Sequence, residues 1–224
     1  MKRLLVTGIG RSGTGYMAKL LTDAGIPCGH EAIYDSGTHE PPDWGDAVAE
    51  SSWFSAPMLN SVRRGTFVLH VVRHPMNWLA SWAFTVWRPE RRSAAPTQYI
   101  SRHLGEDWCA RAEADPIDAA MALWVAWNRM IEADPCPTLR MKVDHMDHQE
   151  ERLEAAFRHM GVQTNELRKL LRKVPRNVNS RPHEGLTWKQ VKDKPSAARF
   201  RAKAERYGYE IGITEHQLNQ EGRS

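Results

Sequence analysis

The sequence predicts an α/β fold with a mostly parallel central sheet flanked by helices. Three observations carry this. Short runs at Leu4–Val6, Phe67–Val72 and Leu139–Val143 read as strands, the first two uncharged and rich in Leu and Val. Between them, apolar residues recur at helical spacing, as at Tyr16, Met17, Leu20 and Leu21. Strand and helix alternate along the chain, the pattern of parallel βαβ units.

The elements follow in order. A strand over residues 3–7 runs into a turn with glycines at 8, 10, 13 and 15, then a helix over 14–24. A short strand is expected over 26–28. Residues 29–43, rich in Gly, Pro, His and Asp, read as a loop, and a helix is expected over 45–60. The strand at 67–72 is stopped by Arg73-His74-Pro75, and Pro75 suits the first turn of a helix over 75–86. Residues 88–115 are polar and proline-bearing and read as an insertion or lid. Asp115-Pro116 opens a helix to 133. A strand over 139–143 and helices over 148–160 and 164–173 come next. Residues 174–187 form a loop. A basic helical stretch over 188–206 is broken near Pro195. No internal repeat is visible.

Bulk properties narrow the function classes. The 224 residues suit one domain spanning 1–224, with a tail from 207. No run approaches the roughly 18 apolar residues of a membrane span. The first strand starts too early for a leader, so a cytoplasmic chain without a membrane partner is expected. Cys28, Cys109 and Cys136 form no CxxC pair, which excludes a disulfide framework or zinc site. Asp144-His145-Met146-Asp147-His148 has no third cluster at ligand spacing, so no metal is expected. Charge is uneven: residues 1–50 hold four Lys/Arg against seven Asp/Glu, and residues 168–206 hold thirteen against three. The basic quarter suits an anionic ligand or a solvated helix face. No nucleic-acid-binding motif is present, and nucleic acid is not an expected partner.

The opening strand, glycine turn and helix make a cradle for an anion, through outward backbone N–H groups and the helix dipole. Which anion is the question. The G-x-x-x-x-G-K-[ST] pattern of NTPases is met at Gly8 and Gly13. Thr14 then stands where the Lys should be, and Gly15 where the hydroxyl should be, which argues against ATP with magnesium. Gly8 to Gly13 satisfies G-x-G-x-x-G literally, with Glu31 spaced for a ribose contact, so an NADP-binding reductase stays open. So does a non-catalytic nucleotide-binding module. Arg11-Ser12-Gly13-Thr14 offers a cation and two hydroxyls to one anion, which fits a phosphosulfate. In Leu69–Ser81 the strand delivers Arg73 to the C-terminal sheet edge, with Ser81 eight residues later. An Arg fork and a hydroxyl suit a phosphate monoester.

On these residues the chain resembles the sulfotransferases that use 3′-phosphoadenosine 5′-phosphosulfate (PAPS). The resemblance implies a P-loop NTPase-like architecture in which Gly10, Arg11, Ser12, Gly13, Thr14, Gly15 and Tyr16 hold the 5′-phosphosulfate. Arg73, Pro75 and Ser81 match the family's second motif, which holds the 3′-phosphate. Asn179-Ser180-Arg181-Pro182-His183 resembles the Lys-Gly-Arg-x-His loop that closes on that phosphate in heparan-type members. Ser180 and Arg181 are the implied contacts, and Asn179 stands where that loop has Lys. Cys28-Gly29-His30-Glu31 is similar to the Cys-Gly-Glu-Glu segment of tyrosylprotein sulfotransferases, whose second Glu is the catalytic base. This implies Glu31 as base. His30 competes, because many cytosolic sulfotransferases use His. Arg11 is implied to neutralise charge in the transfer, and no metal is required. The acceptor, implied to be a small molecule, glycan or peptide, is expected against loops 32–60 and 88–115. Trp44, Trp53, Trp87, Tyr99 and Trp108 offer apolar or sugar-stacking faces there. Arg88, Arg91 and Arg92 either read an acidic acceptor or stay solvated. Trp124, Trp127 and Met130 are expected to face the core.

Overall fold

The structure is a computed structural model that describes residues 2–91, 94–134, 138–163, 170–171 and 184–212. Its centre is a five-stranded, fully parallel sheet in the order β2-β3-β1-β4-β5. The strands are β1 (Arg3–Gly8), β2 (Cys28–His30), β3 (Ala49–Ser51), β4 (Thr66–Val72) and β5 (Thr138–Lys142). The helices are α1 (Thr14–Asp23), α2 (Pro75–Ser81), α3 (Ala95–Leu104), α4 (Trp108–Ala114), α5 (Pro116–Ala133), α6 (Glu150–Met160), α7 (Trp188–Val191) and α8 (Ala197–Arg206). Among the described residues no helix is long and apolar enough to cross a membrane.

Contacts divide the chain into two units. The first, residues 1–73 and 127–180, holds the sheet. Its inner strands β3, β1 and β4 are buried on both faces, which is why β1 and β4 read as continuous apolar runs rather than alternating ones. Leu4, Val6, Leu69 and Val71 join Met17, Leu20 and Leu21 of α1 and Leu153, Ala156 and Phe157 of α6 in one core cluster. The one polar side chain at the centre of β4, His70, is buried against Asn128, with Nε2 2.8 Å from Oδ1. Trp127 Nε1–H donates to the Gly8 carbonyl (3.2 Å), tying the end of β1 to α5.

The second unit, residues 74–126 and 181–224, is helical where described. Its interior is aromatic. Trp78 stacks on Trp82 at 5.3 Å, and Trp82 meets Trp87 edge-on at 5.8 Å. Trp124 meets Phe200 of α8 at 5.1 Å. Residues 194–196 are pinned to the start of α5: Lys194 pairs with Asp115 (2.6 Å) and Ser196 N–H donates to Asp118 (2.7 Å).

Two expectations need correction. The helix expected over 45–60 is instead β3 followed by a 3-10 helix, Trp53–Ser61. Ser52 caps that helix by accepting the Phe54 N–H (3.1 Å), and Pro57 lies inside it. The short strand lies at 28–30 rather than 26–28, which puts Cys28, Gly29 and His30 on the strand itself. The segment 88–115, expected as an insertion or lid, carries α3 and α4. In the stretch expected as a tail, Tyr207, Tyr209 and Ile211 are buried, and residues from 213 lie outside the described residues. Most of the expected helix over 164–173 lies outside the described residues.

Candidate functional site

The cradle sits at the end of β1, where the order in which strands are added changes side. From β1 the chain moves outward to β2 and β3, and from β4 it moves the other way to β5. Ligands of open α/β sheets bind beyond the C-terminal strand ends at such a switch point. Gly8 ends β1 opposite Val71 of β4, and a Cβ there would lie 2.5 Å from the Val71 carbonyl oxygen, so only glycine fits. The turn closes with Ser12 N–H donating to Ile9 (3.0 Å). Arg11 has φ 69° and Gly13 φ 100°. α1 starts at Thr14 with no side chain capping it and no acidic residue in its first turn. Such an N-terminus attracts an anion. The Ser12 hydroxyl is fully buried with no hydrogen-bond partner among the described residues. A native buried hydroxyl almost always has one.

A second corner follows β2. Among the described residues, Arg11 and Glu31 (φ 55°) are the non-glycine residues with left-handed backbone. Each such residue costs about 1–2 kcal/mol, and backbone of this kind concentrates at functional sites. Both residues were selected from the sequence as catalytic. The Thr14 hydroxyl joins the two features, with His30 Nε2 3.4 Å from its Oγ1. His30 Nε2 also lies 3.7 Å from Glu31 Oε1, and both side chains are about one-third exposed (33%).

Burial shifts the two titratable groups of this corner in opposite directions. Burial, then the charge of Asp35, raises the Glu31 carboxyl above its ordinary value. Burial lowers the His30 ring below its ordinary value, opposed by the charge of Glu50. The first shift brings Glu31 nearer the range where a general base works best, and the second moves His30 away from that range while favouring its neutral, proton-accepting form. Cys28 is excluded as a nucleophile, because burial and the Glu50 charge push its thiol up to about 12.

Sequence reasoning missed Glu50. Its side chain is fully buried on β3, and Oε1 accepts the Ala32 N–H (2.9 Å) and the Ile33 N–H (3.3 Å). Neighbouring serines complete the support. Ser51 donates to the Thr14 carbonyl (2.8 Å), and Ser52 donates to the Tyr34 carbonyl (2.7 Å). Nothing local in Ala49-Glu50-Ser51 signals this. The link appears only through the register that sets Gly29 beside Glu50.

Arg73 follows β4 at the same sheet edge, partly exposed, and its ion pair to Asp144 is long (Nε to Oδ1, 3.9 Å). Ser81 ends α2 in the second unit; it is fully buried, and its carbonyl accepts the Thr85 hydroxyl. Ser180 and Arg181 lie outside the described residues, as do Asn179, Pro182, His183 and Arg92. The aromatic acceptor faces need correction. Trp44, Trp53, Trp87, Tyr99 and Trp108 are all at least nine-tenths buried and form core. Trp44, for example, donates its Nε1–H to the Tyr34 hydroxyl (3.1 Å). Trp124 and Trp127 are buried as expected, and Arg88 donates to the Phe84 carbonyl from an exposed position.

No protein-family model matches the chain, and no curated protein matches it. Among solved structures it is similar to a sulfotransferase from Alicyclobacillus acidocaldarius. The TM-score is 0.54 at 14% identity, over 94% of this chain and 97% of that one. The chain therefore has the α/β fold of a sulfotransferase.

Proposed function

We propose that this protein transfers a sulfuryl group from PAPS to a hydroxyl or amine of an acceptor. The observation that carries the reading is the pair Arg11 and Glu31, both left-handed, set on the cradle loop and on the corner joined to it through Thr14 and His30. The shared fold with a sulfotransferase supports it. In this reading the base, Glu31 or His30, removes the acceptor's proton. The acceptor oxygen or nitrogen bonds to sulfur as the bridging S–O bond breaks. Adenosine 3′,5′-bisphosphate leaves, carrying the bond's electron pair. Arg11 and the N–H groups opening α1 neutralise the charge that grows on that bridge. Arg11 stays charged and is not the acid. Arg73 holds the 3′-phosphate, a role the resemblance also assigns to Ser81, Ser180 and Arg181. The acceptor is a small molecule, glycan or peptide.

A ligand panel tests the donor. Adenosine 3′,5′-bisphosphate at a hundred times its Kd should stabilise the fold by about 2.7 kcal/mol. ATP with magnesium and NADP should do little. If NADP or ATP stabilises and the bisphosphate does not, the reading fails in favour of a reductase or a different nucleotide-binding module.

Arg73→Ala should weaken bisphosphate binding by about 1.5–3 kcal/mol, the scale of a hydrogen bond to a charged group. Calorimetry with adenosine 5′-phosphate, which lacks the 3′-phosphate, should show a much smaller loss. Equal losses for both ligands would remove Arg73 from the 3′ site.

A further inference from the structure

Glu50 carries more than the packing of a strand. A buried carboxylate is costly unless its oxygens are satisfied. Here one oxygen is and the other is not: Oε1 accepts two N–H groups of the chain just after Glu31, while Oε2 is buried with no hydrogen-bond partner among the described residues. Gly29 makes room for it, because a Cβ at that position would overlap Oε2. The strands place Gly29 beside Glu50 and His30 beside Ser51, so the Glu50 carboxylate lies on the strand face opposite the His30 side chain, next to the residue that precedes it. The backbone of Glu31 is fixed from the same strand, its N–H donating to the Ser51 carbonyl (3.2 Å).

We propose that Glu50 is a positioning residue for the proton-accepting corner: one carboxylate oxygen holds the left-handed turn at Glu31, and the buried negative charge acts through the strand on the neighbouring His30. This rests on the sulfuryl-transfer reading for its purpose, but not for its test. The charged and titratable groups around the corner are Cys28, His30 and Glu31 at β2, Asp35 in the following loop, and Glu50 on β3, with the Thr14 hydroxyl from α1. Burial raises the Glu50 carboxyl, opposed by the Ile33 and Ala32 N–H groups, the His30 ring and the Tyr34 N–H. The charge interaction with His30 is mutual.

Two variants separate the two roles. Glu50→Gln keeps an acceptor for Ala32 and Ile33 but removes the charge. Glu50→Ala removes both. The first readout is an NMR titration of the His30 ring, which needs no catalysis. In Glu50→Gln the His30 midpoint should move to lower pH, because an attractive charge has gone. A purely structural Glu50 would leave it in place, and an unmoved midpoint in a folded variant overturns the charge role. The second readout is transfer with labelled PAPS. Glu50→Ala should lose about 10²-fold in rate, the scale of a misplaced catalytic group. Bisphosphate binding at the cradle should persist. Should Glu50→Ala fail to fold, Glu50→Asp, which keeps the charge on a shorter arm, takes its place with the same expected loss. Full transfer activity in a folded Glu50→Ala or Glu50→Asp protein overturns the positioning role. A parent protein that transfers nothing from PAPS would sink the functional reading, and the titration would still decide whether Glu50 acts on His30.

Discussion

Glu31→Gln leaves bisphosphate affinity essentially unchanged and lowers transfer about 10²- to 10⁴-fold, the usual contribution of a general base. The substitution keeps size and most hydrogen bonding and removes basicity. Glu31 belongs to the corner after β2, whereas the proposed bisphosphate contacts belong to the cradle loop and to the residue after β4, so binding and rate should separate. The pH profile adds a sign. A base acts in its deprotonated form, so rate is lost as pH falls through its pKa. Burial and Asp35 raise that of Glu31. With Glu31 as base, the acidic limb should lie above the ordinary carboxylate range. With His30 as base, it should lie below the ordinary imidazole range, because burial lowers that ring. His30→Asn, made in parallel, should be milder if Glu31 is the base. If Glu31→Gln keeps near-normal transfer and His30→Asn abolishes it, the base is His30. If both stay active, the base lies elsewhere and the corner loses its catalytic assignment.

What the sequence discloses of this fold divides along a physical line. Elements with their own apolar signal were legible: β1, α1, β4 and α5 fall within a residue or two of the expected bounds. β3 was not. Ala49-Glu50-Ser51 has no β-branched or aromatic residue, and it is a strand because β1 and β2 pair on either side of it. Tertiary context overrode propensity there. The same context hid Glu50. A glutamate among serines reads as surface, and only the β2–β3 register shows it buried behind the Glu31 turn. The cradle was legible because glycine spacing is a local signal, and a Cβ at Gly8 or Gly13 would crowd Val71 of β4 or Val143 after β5. The tryptophans misled for the opposite reason. Large aromatic rings serve a binding face or a core equally well in composition, and here packing took them.

The cradle's cation offers the sharpest separation of stability from function. Arg11 adopts φ 69°, a conformation glycine accepts without penalty. Arg11→Ala and Arg11→Gly both remove the guanidinium and whatever contacts it makes, so they differ only in backbone. Alanine keeps the strain and glycine releases it, so Arg11→Gly should be more stable than Arg11→Ala by about 1 kcal/mol in chemical denaturation. Their catalytic fates should coincide. Removing one preorganised group aimed at developing charge costs about 10²- to 10³-fold in rate. Only contacts stronger in the transition state than in the ground state raise the chemical rate. Affinity for the bisphosphate, which lacks the sulfuryl group, should therefore fall far less than turnover in both variants. Single-turnover transfer and calorimetry on the same two proteins measure the split. A large loss of bisphosphate binding with an intact rate at saturating PAPS would make Arg11 an anchor for the nucleotide. Equal stability of the two variants would remove the strain argument from this turn.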